Sequence, residues 1–191
     1  TTDAGATWAA QSFGGQNYHF KGVDFAPSNT VYAVGFYTSV TTNVKWGLII
    51  RSVNGGLDWS RLYEEQRFDF EDVSFAGLNI GTVVGSYVQN GGEAIFRTTN
   101  GGQIWVNQSD TMRSKLLAVH FLDANTGTAV GIQGTIVRTI NGGATWVDQP
   151  LTTLKTLRKV VFADALRGIT VGDDGMLYRT TDGGANWISR P

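Results

Sequence analysis

Few side chains in this 191-residue sequence suit covalent or acid–base chemistry. There are two histidines, His19 and His120, and no cysteine, which excludes disulfides and thiolate metal ligands. His120 sits between Val119 and Phe121 in an alternating run, so it points to the opposite face of a strand. That placement suits packing or lining a channel better than acting as a base. Asp24, Asp69, Glu71, Asp72, Asp123, Asp164, Asp173 and Asp174 are the available carboxylates near predicted strands and loops. Glycoside hydrolysis needs two carboxylates held across a cleft, and nothing in this spacing selects a pair. Arg51, Arg97, Arg138 and Arg179 suggest anion binding, but they occupy the same place in four successive repeats. Repetition spreads them over equivalent positions, as bridges to neighbouring strands or rim groups, and does not gather them on one substrate. No zinc, Walker or dinucleotide spacing occurs, and "GGQNYHF" at 14–20 lacks that of a phosphate loop. The sequence predicts no catalytic residue, no cofactor and no metal.

The elements that position these residues come from the repeat. An octet recurs as "TTDAGATW" at 1–8, "SVNGGLDW" at 52–59, "TTNGGQIW" at 98–105, "TINGGATW" at 139–146 and "TTDGGANW" at 180–187. Its tryptophans, Trp8, Trp59, Trp105, Trp146 and Trp187, are 51, 46, 41 and 41 residues apart, a period of stacked or radial repeats. Upstream of the last four octets lie "GLIIRS", "EAIFRT", "GTIVRT" and "GMLYRT". Further upstream a small apolar run ends in Gly35, Gly85, Gly131 or Gly172, preceded by Val23/Phe25, Val73/Phe75, Val119/Phe121 or Val160/Phe162. Each unit reads as four short strands, with period-two alternation and no helical stripe. In the unit at 115–150 these strands fall near 116–122, 127–132, 135–140 and 144–149. Such a unit cannot bury both faces alone, and radial stacking solves that. The expected fold is an all-β propeller of four-stranded antiparallel blades.

Within the octet, Asp3, Asn54, Asn100, Asn141 and Asp182 can bond nearby backbone N–H groups. Gly5, Gly56, Gly102, Gly143 and Gly184 permit positive φ, and each tryptophan offers a large apolar surface for packing. This pattern resembles the Asp-box (BNR) repeat, S/T-x-D/N-x-G-x-x-W, found in sialidases, some xyloglucan-cleaving glycosidases, sortilin-like receptors and photosystem II stability and assembly factors. The resemblance implies structural turns on a propeller rim. The fuller runs "LLAVHFLDANTGTAVGIQGTIVRTINGGATW" at 116–146 and "LRKVVFADALRGITVGDDGMLYRTTDGGANW" at 157–187 look like the repeat of the assembly factor family. That likeness implies a ring of seven blades that docks partner proteins without catalysis, outside the cytoplasm: periplasmic, lumenal or secreted. The segment "VDFAPSNTVYAVG" at 23–35 looks somewhat like the glycosidase repeats, so carbohydrate binding or glycoside hydrolysis is the alternative.

The whole chain, 1–191, reads as one propeller domain that is incomplete as a ring. Residues 1–12 are expected to hold the outer strand of a blade whose other strands are absent, followed by complete blades at 18–64, 68–110, 115–150 and 156–190. Three arrangements fit: part of a larger propeller, a compact ring of about five blades, or an open arc that closes by assembly. Each predicts contact with further protein subunits, membrane-associated ones among them by family resemblance.

Insertions on a regular frame mark working faces. The link between second and third strands is long at 36–47 and 86–93 and short in the last two units, which makes Tyr37, Trp46 and Tyr87 candidate contact aromatics. Arg113, Lys115, Lys155, Arg158 and Lys159 are expected to form a basic patch on the third and fourth units, matching the family's arginine-rich docking patch only in type. "NQS" at 107–109 fits a glycosylation sequon. Net charge is −1, but residues 1–110 carry 6 basic and 10 acidic groups and residues 111–191 carry 9 and 6. A nucleic-acid-binding surface is therefore not indicated. No apolar run reaches the length of a membrane helix.

Overall fold

The computed structural model describes residues 1, 5–11, 13, 17–110, 113–149 and 151–189. It is all-β, with four sheets of four antiparallel strands, an incomplete propeller. Blade 1 comprises β1 (Asn17–Ala26), β2 (Thr30–Thr38), β3 (Lys45–Ser52) and β4 (Ser60–Gln66). Blade 2 comprises β5 (Phe68–Phe75), β6 (Gly81–Tyr87), β7 (Glu93–Thr98) and β8 (Val106–Asn107). Blade 3 comprises β9 (Leu116–Phe121), β10 (Gly127–Gly131), β11 (Ile136–Thr139) and β12 (Val147–Asp148). Blade 4 comprises β13 (Leu157–Phe162), β14 (Gly168–Gly172), β15 (Leu177–Thr180) and β16 (Ile188–Ser189). Strands neighbour one another in chain order within every sheet. The described residues 5–11 carry turn and irregular structure, and Gln11 lies beside Phe20 and Val23 of blade 1.

Position in the arc decides how each strand is buried. In blade 2, "GTVVGSY" of β6 is buried almost throughout, since blades 1 and 3 cover both faces. In blade 4, "GITVG" of β14 alternates buried and exposed, as a sheet covered on one face does.

Each inner strand carries a register shift: between Phe20 and Gly22, Phe70 and Asp72, Leu157 and Lys159, and opposite Val130/Gly131 in blade 3. This bulge explains the glycine that ends each small apolar run. A Cβ on Gly35 would lie 1.9 Å from the His19 carbonyl oxygen, and one on Gly85 would lie 2.1 Å from that of Asp69. Gly131 and Gly172 stand equally close to the Lys115 and Thr156 oxygens. No side chain fits where the bulged strand presses in.

The octet turns share one hydrogen-bond set. Thr98 Oγ1 donates to Asn100 Oδ1 (3.0 Å) and accepts the Gly102 N–H (2.9 Å), while Asn100 Oδ1 accepts the Ile104 N–H (2.9 Å). The Ser52/Asn54/Gly56, Thr139/Asn141/Gly143 and Thr180/Asp182/Gly184 turns repeat it. Gly101 and Gly102 have φ of +67° and +83°, so both glycines of the pair are required by the turn. Bonds from Asn186 and Thr180 hold the Asp182 carboxyl down at about 2. At the first octet Gly5 N–H donates to Thr1 Oγ1 (2.9 Å), and Asp3 lies outside the described residues. Trp105, Trp146 and Trp187 are buried edge-on against Phe75, Phe121 and Phe162 of their own blades. Trp59 is half-buried, and Trp8, expected to pack as well, is 79% exposed because no sheet lies beneath it.

Candidate functional site

The inner strands bring sequence-distant charges together. Lys21 on β1 bonds Asp69 Oδ1 at 2.7 Å and Glu71 Oε1 at 2.5 Å, both on β5. Lys45 reaches Asp69 Oδ2 at 3.0 Å and lies 3.9 Å from the Phe36 ring centroid. Lys115 pairs with Glu71 and approaches Asp69, and Lys159 of blade 4 reaches Asp72 Oδ2 at 2.7 Å. Burial pushes the Asp69 carboxyl up, but hydrogen bonds from Lys21 and Lys45 outweigh it and hold it below the usual range. The bulged residues Lys21, Glu71, Leu117 and Arg158 line one cavity of about 190 Å³ with Asp72 and Lys159. These carboxylates are tied to lysines, which leaves no free pair poised for acid–base work. Among the described residues, no group of three or more His, Cys, Asp or Glu could hold a metal ion.

The five cations expected to form a basic patch each have a carboxylate partner. Arg113 contacts Asp110 (2.6 Å), Asp148 (2.9 Å) and Glu93 (3.4 Å) and donates to the Trp146 carbonyl (2.9 Å), a clamp between blades 2 and 3. Lys155 pairs with Asp174, Arg158 with Asp173, and Lys115 and Lys159 join the inner cluster. The contact aromatics are also engaged. Tyr37 is buried and faces Trp46 as a cross-strand pair, rings 6.1 Å apart, because β2 and β3 extend into the expected loop. Tyr87 packs on Phe68 and accepts from Asn107 Nδ2 (2.7 Å), which also occupies the sequon asparagine. Sequence reasoning missed Glu93. It is fully buried with one unpartnered carboxylate oxygen, and burial and a hydrogen bond with Asp110 push it up to about 7.

The seams between blades repeat, with the forward face of one blade meeting the rear face of the next. Val34 and Ile49 meet Phe70, Val73 and Phe75; Val84 and Ile95 meet Leu116, Val119 and Phe121; Val130 and Ile136 meet Leu157, Val160 and Phe162. An arginine crosses each seam. Arg51 donates to the Gly101 carbonyl (3.0 Å), Arg97 to the Ala124 carbonyl while covering the Phe121 ring at 4.6 Å, and Arg138 lies against Gly183. A polar inner-strand residue crosses too: Asp24 and Ser74 accept the N–H of Phe75 (2.7 Å) and Phe121 (3.0 Å), and His120 hydrogen-bonds the Phe162 backbone and stacks on its ring. His120 is therefore a packing residue, and burial pulls its pKa below the usual value.

Among the described residues two faces lack a neighbouring blade, although Gln11 and Phe13 lie on the first of them against Phe20 and Val23. On the rear of blade 1, Phe20, Val23 and Phe25 are 43%, 62% and 67% exposed, whereas their nine equivalents in blades 2–4 are at most 8% exposed. On the front of blade 4, Arg179, the fourth arginine of the series, is exposed and lines an open groove of about 250 Å³ with Val161, Ala163, Arg167, Gly168 and Ile169.

Residues 108–191 match the family described as Photosynthesis system II assembly factor YCF48. YCF48 bound to D1 peptide is 26% identical, covering 64% of this chain and 39% of that one, with TM-score 0.56. YCF48 from Cyanidioschyzon merolae is 20% identical, covering 91% and 56%, with TM-score 0.65. The GH74 enzyme of Niastella koreensis shares the fold at 14% identity, covering 89% and 30%, with TM-score 0.66. No curated protein matches the chain. The chain thus spans 39% and 56% of the two YCF48 chains it resembles. Octet turns, four-stranded blades and these likenesses together make the chain a BNR-type, Asp-box β-propeller similar to the YCF48-type assembly factors.

Proposed function

We propose that this is a non-catalytic propeller that works by binding protein, as a structural or docking subunit of a larger assembly. The observation that carries the reading is the rear face of blade 1, where Phe20, Val23 and Phe25, buried at the equivalent positions of the other three blades, stay exposed beside Gln11 and Phe13. Contiguous apolar surface of that kind marks a protein contact. The YCF48 structure that holds a D1 peptide supports a polypeptide as the class of partner. An extracytoplasmic site of action and a membrane-associated partner belong to the same reading. The test is native mass spectrometry of the intact particle with every polypeptide identified, together with hydroxyl-radical footprinting. A particle holding further polypeptide, with Phe20 and Phe25 protected, is expected. A lone 20.7 kDa species with both rings reactive overturns the reading, as does protection by an oligosaccharide alone.

A further inference from the structure

We infer that the groove between blades 1 and 2 docks an acidic segment of a partner polypeptide, with a side-chain carboxylate on Arg67 and a large apolar side chain among the rings beside it. The inference rests on the protein-binding reading and adds a contact away from the rear face of blade 1. The groove holds about 530 Å³, within the range of about 300–1,000 Å³ usual for ligand sites. Tyr63 of β4, Phe68 of β5, Tyr87 of β6 and Trp105 line it with rings, and the exposed Arg67 and Asn107 line it with polar groups. Both blades that flank it are described, so its shape does not depend on what precedes or follows them.

The next seam shows what this place requires. Arg67 and Arg113 each follow an octet tryptophan by eight residues and precede a core residue of the inner strand, Phe70 or Leu116, by three. Arg113 bonds the Trp146 carbonyl and Asp148, whose counterparts in blade 2 are Trp105 and Asn107 of the groove. Three carboxylates surround Arg113: those of Glu93, Asp110 and Asp148. At the first seam the same three positions hold Gly47, Glu64 and Asn107. Two of these carry no charge, and Glu64 is paired with Arg61 at 2.8 Å. Glu65, the carboxylate that lines the groove, accepts the Tyr63 hydroxyl. Among the described residues the Arg67 guanidinium therefore has no hydrogen bond or ion pair, and it is exposed where the Arg113 side chain is 14% exposed. A partner's carboxylate restores the pairing that the repeat gives to this position.

The backbone at Arg67 points the same way. Its φ is +77°, a conformation that glycine adopts without steric cost. The bend is tied on both sides: Arg67 N–H donates to the Lys45 carbonyl (3.2 Å), and the Arg67 carbonyl accepts the Val88 N–H (2.7 Å). The other described non-glycine residues at positive φ are Ser, Asn, Gln or Asp. A long cationic side chain at such a bend, in a chain with 25 glycines, is explained by what the guanidinium contacts. In an extended segment residues i and i+2 share a face, so a carboxylate and an apolar side chain at that spacing reach Arg67 and the rings together.

An array of acetylated, amidated hexapeptides tests this, each carrying Asp or Glu two residues from Phe, Leu or Trp, beside its Asn or Gln counterpart. The protein should bind acidic members about 10-fold more tightly than their amides, and high salt should erase the preference. Arg67→Gly relieves the positive φ and keeps the wild-type circular dichroism, and it should bind acids and amides equally. Arg67→Lys should restore part of the preference. Hydroxyl-radical footprinting with a bound acidic peptide should protect Tyr63 and Tyr87. A silent array, equal binding of acids and amides, an Arg67→Gly variant that keeps the preference, or a peptide that protects neither tyrosine overturns the inference. A particle whose partner protects Phe20 and Phe25 while the array is silent leaves the protein-binding reading standing without this site. A lone chain with a silent array removes both.

Discussion

Blades 1 and 2 carry the same rear-face pattern, Phe-x-x-Val-x-Phe, at 20–25 and 70–75, yet one triad faces solvent and the other is buried. The residue types do not set that difference. Two things do: whether a forward face lies opposite, and whether glycine sits beside the second phenylalanine. In blade 2 the Phe75 ring covers Gly81, stacks on Tyr32 at 3.7 Å and meets Trp105 edge-on. In blade 1, Val31 fills the place of that glycine. A repeat sequence therefore specifies half of each interface, and the neighbour supplies the rest.

Phe75→Ala is expected to cost about 3–5 kcal/mol in urea unfolding, and Phe25→Ala under about 1 kcal/mol. Equal losses would mean that the blade 1 ring is buried after all. Glu93, found only in blade 2, adds a pH dependence. Its folded pKa of about 7 lies above the unfolded value near 4.5, so its contribution favours folding below pH 4.5 and is lost as pH rises to about 7. Glu93→Gln should flatten stability across that window, gaining about 3 kcal/mol at pH 8 relative to pH 4, and an unchanged slope would refute the assignment. Gly81→Val imposes the blade 1 arrangement on blade 2 and should cost about 1–3 kcal/mol while making Trp105 more accessible to acrylamide. Arg179→Ala should stay within about 0.5 kcal/mol, since its guanidinium is exposed and crosses no seam between described blades.

The turns and strands were legible because each is local: a hydroxyl, an Asn or Asp, two glycines and a tryptophan close one bend within eight residues. The seam arginines were legible as repeated bridges, although not the blade they reach. The counter-charges of the basic residues were not legible, because they lie on other strands. Lys159 meets Asp72, 87 residues away, and Lys115 meets Glu71 on the neighbouring blade. Tyr37 and Trp46 were read as a loop because insertion length does not say whether a hairpin extends or opens. Glu93 carried no signal, since its burial depends on Arg113 and Asp110 folding over it from the next link. The exposed faces were anticipated as a class, but the Phe25 departure gains meaning only beside the buried seams.

Gly35, Gly85, Gly131 and Gly172 have a consequence for reading longer sequences. Each stands where the bulged strand leaves no space for a methyl group, a constraint imposed by backbone and not by any partner or surface. Duplicated blades can drift in loop length, charge and octet wording, as the first unit does, and still keep this one column. A saturation library should show these four positions, one per blade, as intolerant of every side chain. The same column then serves as a ruler for counting blades whose octets have decayed beyond recognition.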